Sequence, residues 1–237
     1  MLRRDALLGE SILWQDSDLF CFGTDAVLLY DLIPPQTGRI IDLCSGNGAV
    51  AMLLLAGRKA ARCTALEIHP ESCALARRSA AENGFENRLD MHCGDVKRIS
   101  DFFEAGTFQS VCVNPPYHKN GSGILPASEA VAAARHEVKC DIDDILSAAH
   151  YLLCKEGMLY MVHRRMRQRE ILEKIQKYGF GLCEIRSVFT TPSTPSSLFL
   201  AAAQKGQNPP CRHSRITLQN EDHTLSAQYR AIYEESL

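Results

Sequence analysis

The chain has 237 residues, a length that suits one α/β domain with small additions and is ample for a sizeable core. Lys plus Arg is 26 and Asp plus Glu is 28, so the net charge of −2 neither demands nor excludes a nucleic-acid partner. Ten cysteines with no Cys-x-x-Cys pair exclude the usual zinc and redox spacings, and no run approaches the ~20 apolar residues of a membrane span. Several cysteines, such as Cys63, Cys93 and Cys112, lie inside apparent strands and read as reduced, buried small residues. The opening Met1-Leu2-Arg3-Arg4 meets Asp5 and Glu10 without a signal-peptide core. The expectation is a cytoplasmic enzyme with no membrane segment and no visible metal requirement.

In chain order, residues 11–22 alternate in short apolar runs about Gln15-Asp16-Ser17-Asp18, which predicts a β-hairpin. Thr24-Asp25 opens an apolar run to Ile33, an N-capped helix ended by Pro34-Pro35. Strands are expected over 39–43, 62–68, 89–93, 108–113, 157–163, 181–189 and 197–203. Helices are expected over 49–56, from Pro70 to the Asn83-Gly84 stop, and over 96–104, 128–135, 141–154 and 166–178. Regular alternation predicts a Rossmann-like, seven-stranded, mainly parallel sheet with helices on both faces. The last two strands lack a helix between them and should pair antiparallel at one edge. The expected organisation is one domain: a hairpin and helix over 1–36, a core over 37–205, and a polar tail over 206–237.

One stretch organises the rest. Asn114-Pro115-Pro116-Tyr117 follows the apolar strand Phe108–Val113. The prolines cannot continue the ladder, so the chain turns out at the strand's carboxyl end, the edge where open α/β sheets bind ligands. The grouping suits methylation of a planar nitrogen. The Asn114 oxygen and the Pro115 carbonyl can accept two N–H bonds and localise a lone pair that the ring otherwise delocalises. Tyr117 can stack on that ring. Residues 115–126 read as a lid.

A glycine turn, Ser45-Gly46-Asn47-Gly48, follows the first core strand, and Glu67 lies 19 residues after Gly48, which alone would fit a dinucleotide site. Asp42 argues against phosphate, since a carboxylate there repels it and attracts an ammonium. S-adenosylmethionine carries an ammonium, ribose hydroxyls and an adenine, and no phosphate. Glu67 can then accept the ribose hydroxyls while Ile68 packs on the adenine. Asp95 can accept the adenine amine, with the Val96 N–H facing a ring nitrogen. Any one strand-end acid is usually a cap, whereas three at successive strand ends beside a glycine turn point to one ligand.

Asp42-Leu43-Cys44-Ser45-Gly46-Asn47-Gly48, Glu67, Asp95 and Asn114-Pro115-Pro116-Tyr117 together resemble the class I S-adenosylmethionine-dependent methyltransferases that methylate amines. Phe22-Gly23-Thr24-Asp25-Ala26-Val27-Leu28-Leu29 resembles their cofactor-covering motif, which brings Thr24 and Asp25 into the cofactor set. Arg135-His136-Glu137, Tyr178-Gly179-Phe180 and Tyr229-Arg230-Ala231-Ile232-Tyr233 extend the likeness to bacterial tRNA adenine-N6 methyltransferases, which modify the adenine beside the anticodon of a valine tRNA. Cys44 departs from the small residue usual there. The resemblance implies that Asn114 and Pro115 hold the adenine amine, Tyr117 stacks on the base, and no general base is needed. Catalysis would then be positioning of a splayed-out adenine.

His163-Arg164-Arg165-Met166-Arg167-Gln168-Arg169 is the densest basic run and follows a strand on the same edge. Arg164, Arg165 and Arg167, with Lys119 in the lid, are candidate phosphate contacts. Arg212, His213 and Arg215 can add to that surface. A solvated helix start with i,i+4 partners is the plain alternative. Trp14 and Phe20 read as packing residues. Rival functions are glutamine-side-chain methylation, methylation of rRNA or DNA amines, and non-catalytic RNA binding. About 40 residues precede the first core strand, too few for the helical domain that accompanies the glutamine enzymes.

Overall fold

The computed structural model describes residues 1–17, 19, 22–115 and 140–234. Pro116, Tyr117, Lys119, Phe20, the expected lid, the helix expected over 128–135 and Arg135-His136-Glu137 lie outside them.

An eight-stranded sheet forms the centre, in the order β10-β8-β9-β7-β6-β3-β4-β5. Its strands are β3 (Ile40–Leu43), β4 (Cys63–Glu67), β5 (Leu89–Cys93), β6 (Phe108–Val113), β7 (Leu153–Arg164), β8 (Phe180–Phe189), β9 (Ser196–Lys205) and β10 (Arg212–Thr217). The sheet thus has eight strands rather than seven. The extra one, β10, comes from the segment read as a tail and pairs parallel with β8. β9 pairs antiparallel with both β7 and β8, as expected of the last two predicted strands, but it lies inside the sheet and β10 takes the edge. In Arg212-His213-Ser214-Arg215-Ile216-Thr217 only Ile216 is a buried apolar residue, so the hydrophobic signal that marks an interior strand is missing.

Helices cover both faces. α1 (Thr24–Leu32), α2 (Ala49–Ala56), α3 (Pro70–Glu82) and the terminal α6 (Ala227–Glu234) lie on one face; α4 (Ile142–Leu152) and α5 (Gln168–Lys177) lie on the other. The predicted helix over 96–104 is a 3₁₀ segment, Val96–Asp101. α1 starts at an extended Gly23 with no side-chain cap, so Thr24 opens the helix without capping it. α4 carries the strongest N-terminal signal: Asp141 accepts the Asp143 and Asp144 N–H groups, and Asp144 returns the bond to the Asp141 N–H.

The hairpin falls one strand earlier than predicted. β1 (Leu2–Ala6) pairs with β2 (Ile12–Asp16) about a turn at 7–11, not about 15–18. Leu2-Arg3-Arg4-Asp5-Ala6 carries no apolar alternation because it is an outer strand of a two-stranded ribbon. β2 is strapped to α3. The Trp14 N–H donates to Ser79 Oγ (2.9 Å), its indole N–H donates to Glu82 (2.6 Å), and the Arg78 guanidinium lies 3.5 Å from the ring centroid. Ile12 and Asn83 exchange two further bonds at 2.9 and 2.8 Å. Trp14 is thus a packing residue, as read from the sequence.

Candidate active site

The site begins with a register. Leu43 is level with Leu66 on one side and Val113 on the other, and Glu67 is level with Cys93. Cys44, Glu67, Gly94 and Asn114 therefore emerge in a row at the carboxyl edge. The chain winds outward from β3 in both directions, through β4 and β5 and then back through β6 and β7, so the strand order reverses there. Such a switch point opens a crevice between neighbouring loops.

The glycine turn fills that crevice's floor. Cys44, Gly46 and Gly48 have φ of 55°, 56° and 78°, which no β-branched residue would tolerate. A Cβ on Gly46 would meet nothing within 4 Å, so the turn presents bare backbone to open space. A Cβ on Gly48 would lie 3.1 Å from Ala76 Cβ, so Gly48 also lets α3 pack close. Cys44 is the departure: a thiol-bearing residue in left-handed backbone. Its thiol is hydrogen-bonded to Cys140, and that contact together with burial pushes its pKa well above the usual thiol range, so it is an inert packing group. The same contact ties the residue before the α4 cap to the turn.

Strand periodicity decides where Asp42 points. It shares the face of Ile40, under α2, while Ile41 and Leu43 face α4. Asp42 is 1% exposed, and its carboxylate accepts the Ala51 N–H at 3.2 Å in the first turn of α2. Burial pushes its pKa up to about 7; the bonds from Ala51 and Cys112 oppose the shift and the Glu67 charge adds to it. Asp42 thus lies beneath the turn, not on its open side.

Glu67 ends β4 with one oxygen accepting the Gly46 N–H (2.9 Å) and the other the His69 N–H (3.0 Å). These bonds lock the acid against the turn. Ile68 follows it and is 37% exposed, an apolar shelf at the rim. Asp95 caps the 3₁₀ segment by accepting the Lys97 N–H at 2.9 Å, and Val96 behind it is buried. Thr24 and Asp25, at the start of α1, are half-buried. Asn47 is 5% exposed and donates from its amide to the Trp14 carbonyl at 3.1 Å. The hairpin therefore reaches the glycine turn, a link no local pattern announces because 33 residues separate the partners. Asn114 is half-buried and Pro115 buried, directly beyond β6.

The basic run divides. Arg167 is only 16% exposed and makes a two-point pair with Glu170 at 2.7 and 3.1 Å, while Arg169 pairs with Glu173 at 2.9 Å. For Arg169 the solvated-helix reading describes the geometry, whereas Arg167 is paired but largely buried. Arg164 and Arg165 are exposed, and Met166 beside them is 86% exposed. His163, which precedes them, is buried, and its pKa is lowered to about 4, first by burial and then by the Arg167 charge.

Comparison with known proteins places this arrangement. Residues 17–185 match the family described as methyltransferase small domain. A tRNA1(Val) (adenine(37)-N6)-methyltransferase of Aeromonas hydrophila is 28% identical over 210 residues, 87% of this chain and 86% of that one. The enzyme of the same name from Parabacteroides distasonis is 25% identical over 222 residues, 92% and 91% of the two chains. Among solved structures, a protein described as a predicted O-methyltransferase from Agrobacterium tumefaciens superposes with a TM-score of 0.72 at 22% identity, covering 90% of this chain and 96% of the other.

Proposed function

The chain belongs to the methyltransferase small domain family, and on that premise we propose that it transfers a methyl group from S-adenosylmethionine to the exocyclic N6 amine of an adenine in tRNA, the one beside the anticodon. The observation that carries the reading is the row of strand ends: Asn114 and Pro115 stand level with the glycine turn and with Glu67. The relatives' names supply the nucleotide, and their similarity extends over most of the chain.

The residues present fit the cofactor. The turn offers open backbone at Gly46, the acids at the strand ends disfavour a phosphate, and the exposed Ile68 gives an apolar surface for a base. Gly46, Asn47 and Gly48 would line the amino-acid end, with Asp42 contributing its charge from beneath and Thr24 and Asp25 covering it from α1. Glu67 would accept the ribose hydroxyls, exchanging the Gly46 N–H for them. Ile68, Asp95 and Val96 would hold the adenine. Bound there, the cofactor supplies an electrophilic methyl carbon.

The protein's own work is positioning. Asn114 and the Pro115 carbonyl accept the two N–H bonds of the target amine and aim its lone pair. Pro116 keeps that carbonyl rigid, and Tyr117 stacks on the base. The amine proton becomes acidic only after the new C–N bond forms, and water takes it, so no general base is required. Lys119, Arg164 and Arg165 contact phosphates; Arg167 does so only by giving up Glu170. The chain acts as one domain in the cytoplasm, where its substrate is, and no helix among the described residues is long and apolar enough to cross a membrane.

A labelled-methyl assay on total tRNA, with ribosomal RNA, DNA and translation-factor protein in parallel, tests the reading. Label is expected in tRNA as N6-methyladenine. Label confined to rRNA, DNA or protein, or none at all, overturns it.

A further inference from the structure

The carboxyl edge of the sheet is not level. Val113, the last residue of β6, is level with Met161, and β7 continues from there to Arg164. Arg164 is level with Leu198 of β9, Leu198 with Val188 of β8, and Val188 with Ile216 of β10. These four strands therefore overtop β6 by ~10 Å at ~3.3 Å per residue. Asn114 stands at the foot of that wall.

Its crest carries two groups on the side of α5. The first is Met166, in the 3₁₀ turn Arg165–Arg167 that leads from β7 into α5 and packs against β9. The turn is held in place: the Arg164 N–H donates to His163 Nδ1 at 2.8 Å, and Arg167 pairs with Glu170. Met166 is nevertheless 86% exposed, and no large apolar side chain among the described residues is more so. The second is Phe189 with Arg215. Val188 and Ile216 pack on the α1 side, so alternation turns Phe189 and Arg215 to the α5 side. Arg212 and Ser214 face the other way, where Glu184 accepts from both. The Arg215 guanidinium lies 4.4 Å from the Phe189 ring centroid, and no carboxylate pairs with it among the described residues. Arg215 is exposed and Phe189 half-buried. Their support is rigid: the Phe189 carbonyl accepts the Leu218 N–H at 2.9 Å, and the turn that follows is closed by the Thr191 N–H on Thr194 Oγ1 at 2.9 Å.

A thioether and a guanidinium laid on a ring share one preference. Each packs on the face of an aromatic ring, and neither of these two has an acid to give up first. Unpaired nucleobases are the rings that arginine planes and apolar side chains receive in RNA recognition. β7 is one strand spacing from β6 and β8 is three, ~5 and ~14 Å at ~4.8 Å each. The two surfaces thus begin beside the target amine and lead away from it. Building on the tRNA reading above, we propose that Met166 and the Arg215–Phe189 pair stack the unpaired bases that flank the target adenine in its loop. An adenine splayed into the site leaves its neighbours without a stacking partner, and the wall supplies one. Because every base has a π-face, the contact holds the loop open and tolerates changes of sequence.

The experiment uses tRNA assembled by ligation, intact or with one abasic nucleotide at each loop position around the target adenine in turn. Removing a base that stacks on the wall should raise the wild-type KM about tenfold. Met166→Ala and Arg215→Ala should each raise KM for intact tRNA by about five- to tenfold. In each variant one of the costly abasic positions should cost nothing further, because base and side chain belong to the same contact. Met166→Ala removes no charge, so the salt slope of tRNA binding should keep its wild-type value, as a phosphate contact would not. Affinity for S-adenosylmethionine should stay put in both. If wild type methylates tRNA and neither variant changes KM, or the abasic losses simply add to those of both variants, the stacking surface falls alone. If wild type methylates no tRNA, the substrate assignment falls and takes this proposal with it.

Discussion

The two halves of the sheet are built on different terms. From β3 to β6, the described residues at the carboxyl edge are tightly placed: a glycine turn in left-handed conformation, an acid bonded to that turn's N–H, and a buried Pro115 directly beyond β6. From β7 to β10, the strands and the segment after β7 carry long cationic side chains, some tied in ion pairs and some exposed. The first half has the rigidity that a small cofactor and a flat base require. The second offers charge that tolerates small displacements, as a phosphate backbone allows. Placement is expensive to disturb in one and cheap in the other.

That contrast breaks first at Asn114. Asn114→Ala should lower kcat by roughly 10²–10³, the cost of losing one positioned hydrogen-bonding group at the reacting centre, with S-adenosylmethionine affinity changed less than about threefold. Single-turnover methyl transfer and calorimetric titration measure the two. Asp42 supplies a second break, through pH. Its carboxyl titrates at about 7, and a bound ammonium favours the ionised form, so affinity for S-adenosylmethionine should strengthen as pH rises through 7 and level off above 8. If only the ionised form binds, Kd at pH 6 should be about tenfold weaker than the plateau, and Asp42→Asn should flatten the profile.

On the cationic half the effects should be smaller and divisible. Arg164→Ala/Arg165→Ala should raise KM for tRNA several-fold, with a salt slope reduced by about 2. Arg167→Ala should change KM less than about twofold, since its guanidinium is already committed to Glu170. Equal losses at all three positions would erase the distinction between the largely buried Arg167 and the exposed Arg164 and Arg165. His163 adds a stability test. It is held neutral in the fold with its pKa lowered to about 4, so the unfolded chain takes up the proton first as the pH falls. Stability should decline from about pH 6.5 towards 4, and His163→Phe should blunt that decline, as read by thermal melts across pH.

Legibility from sequence followed the same division. Gly46, Gly48 and the Asn114-Pro115 stop are chemical punctuation, and apolar strand runs surround them, so the order β3 to β6 was readable with near-correct limits. What a strand end does with its acid was not. Residue type places Asp42 at the edge, but the face it points to follows from sheet packing, and it lies under α2. β10 and β1 escaped for one reason: outer strands need few apolar residues, so alternation hardly marks them. The strap from Trp14 to Asn47 and the Cys44–Cys140 contact join distant segments, and no local window contains both partners.

That strap makes the amino-terminal ribbon an outpost from which the pocket can be watched. The amides of Ile12 and Trp14 are held by Asn83 and Ser79, and the Trp14 carbonyl by Asn47. A ligand that stiffens the turn should slow deuterium uptake at those two amides, far along the chain from the methyl-transfer chemistry. Asn47→Ala should silence that signal while the ribbon itself stays folded.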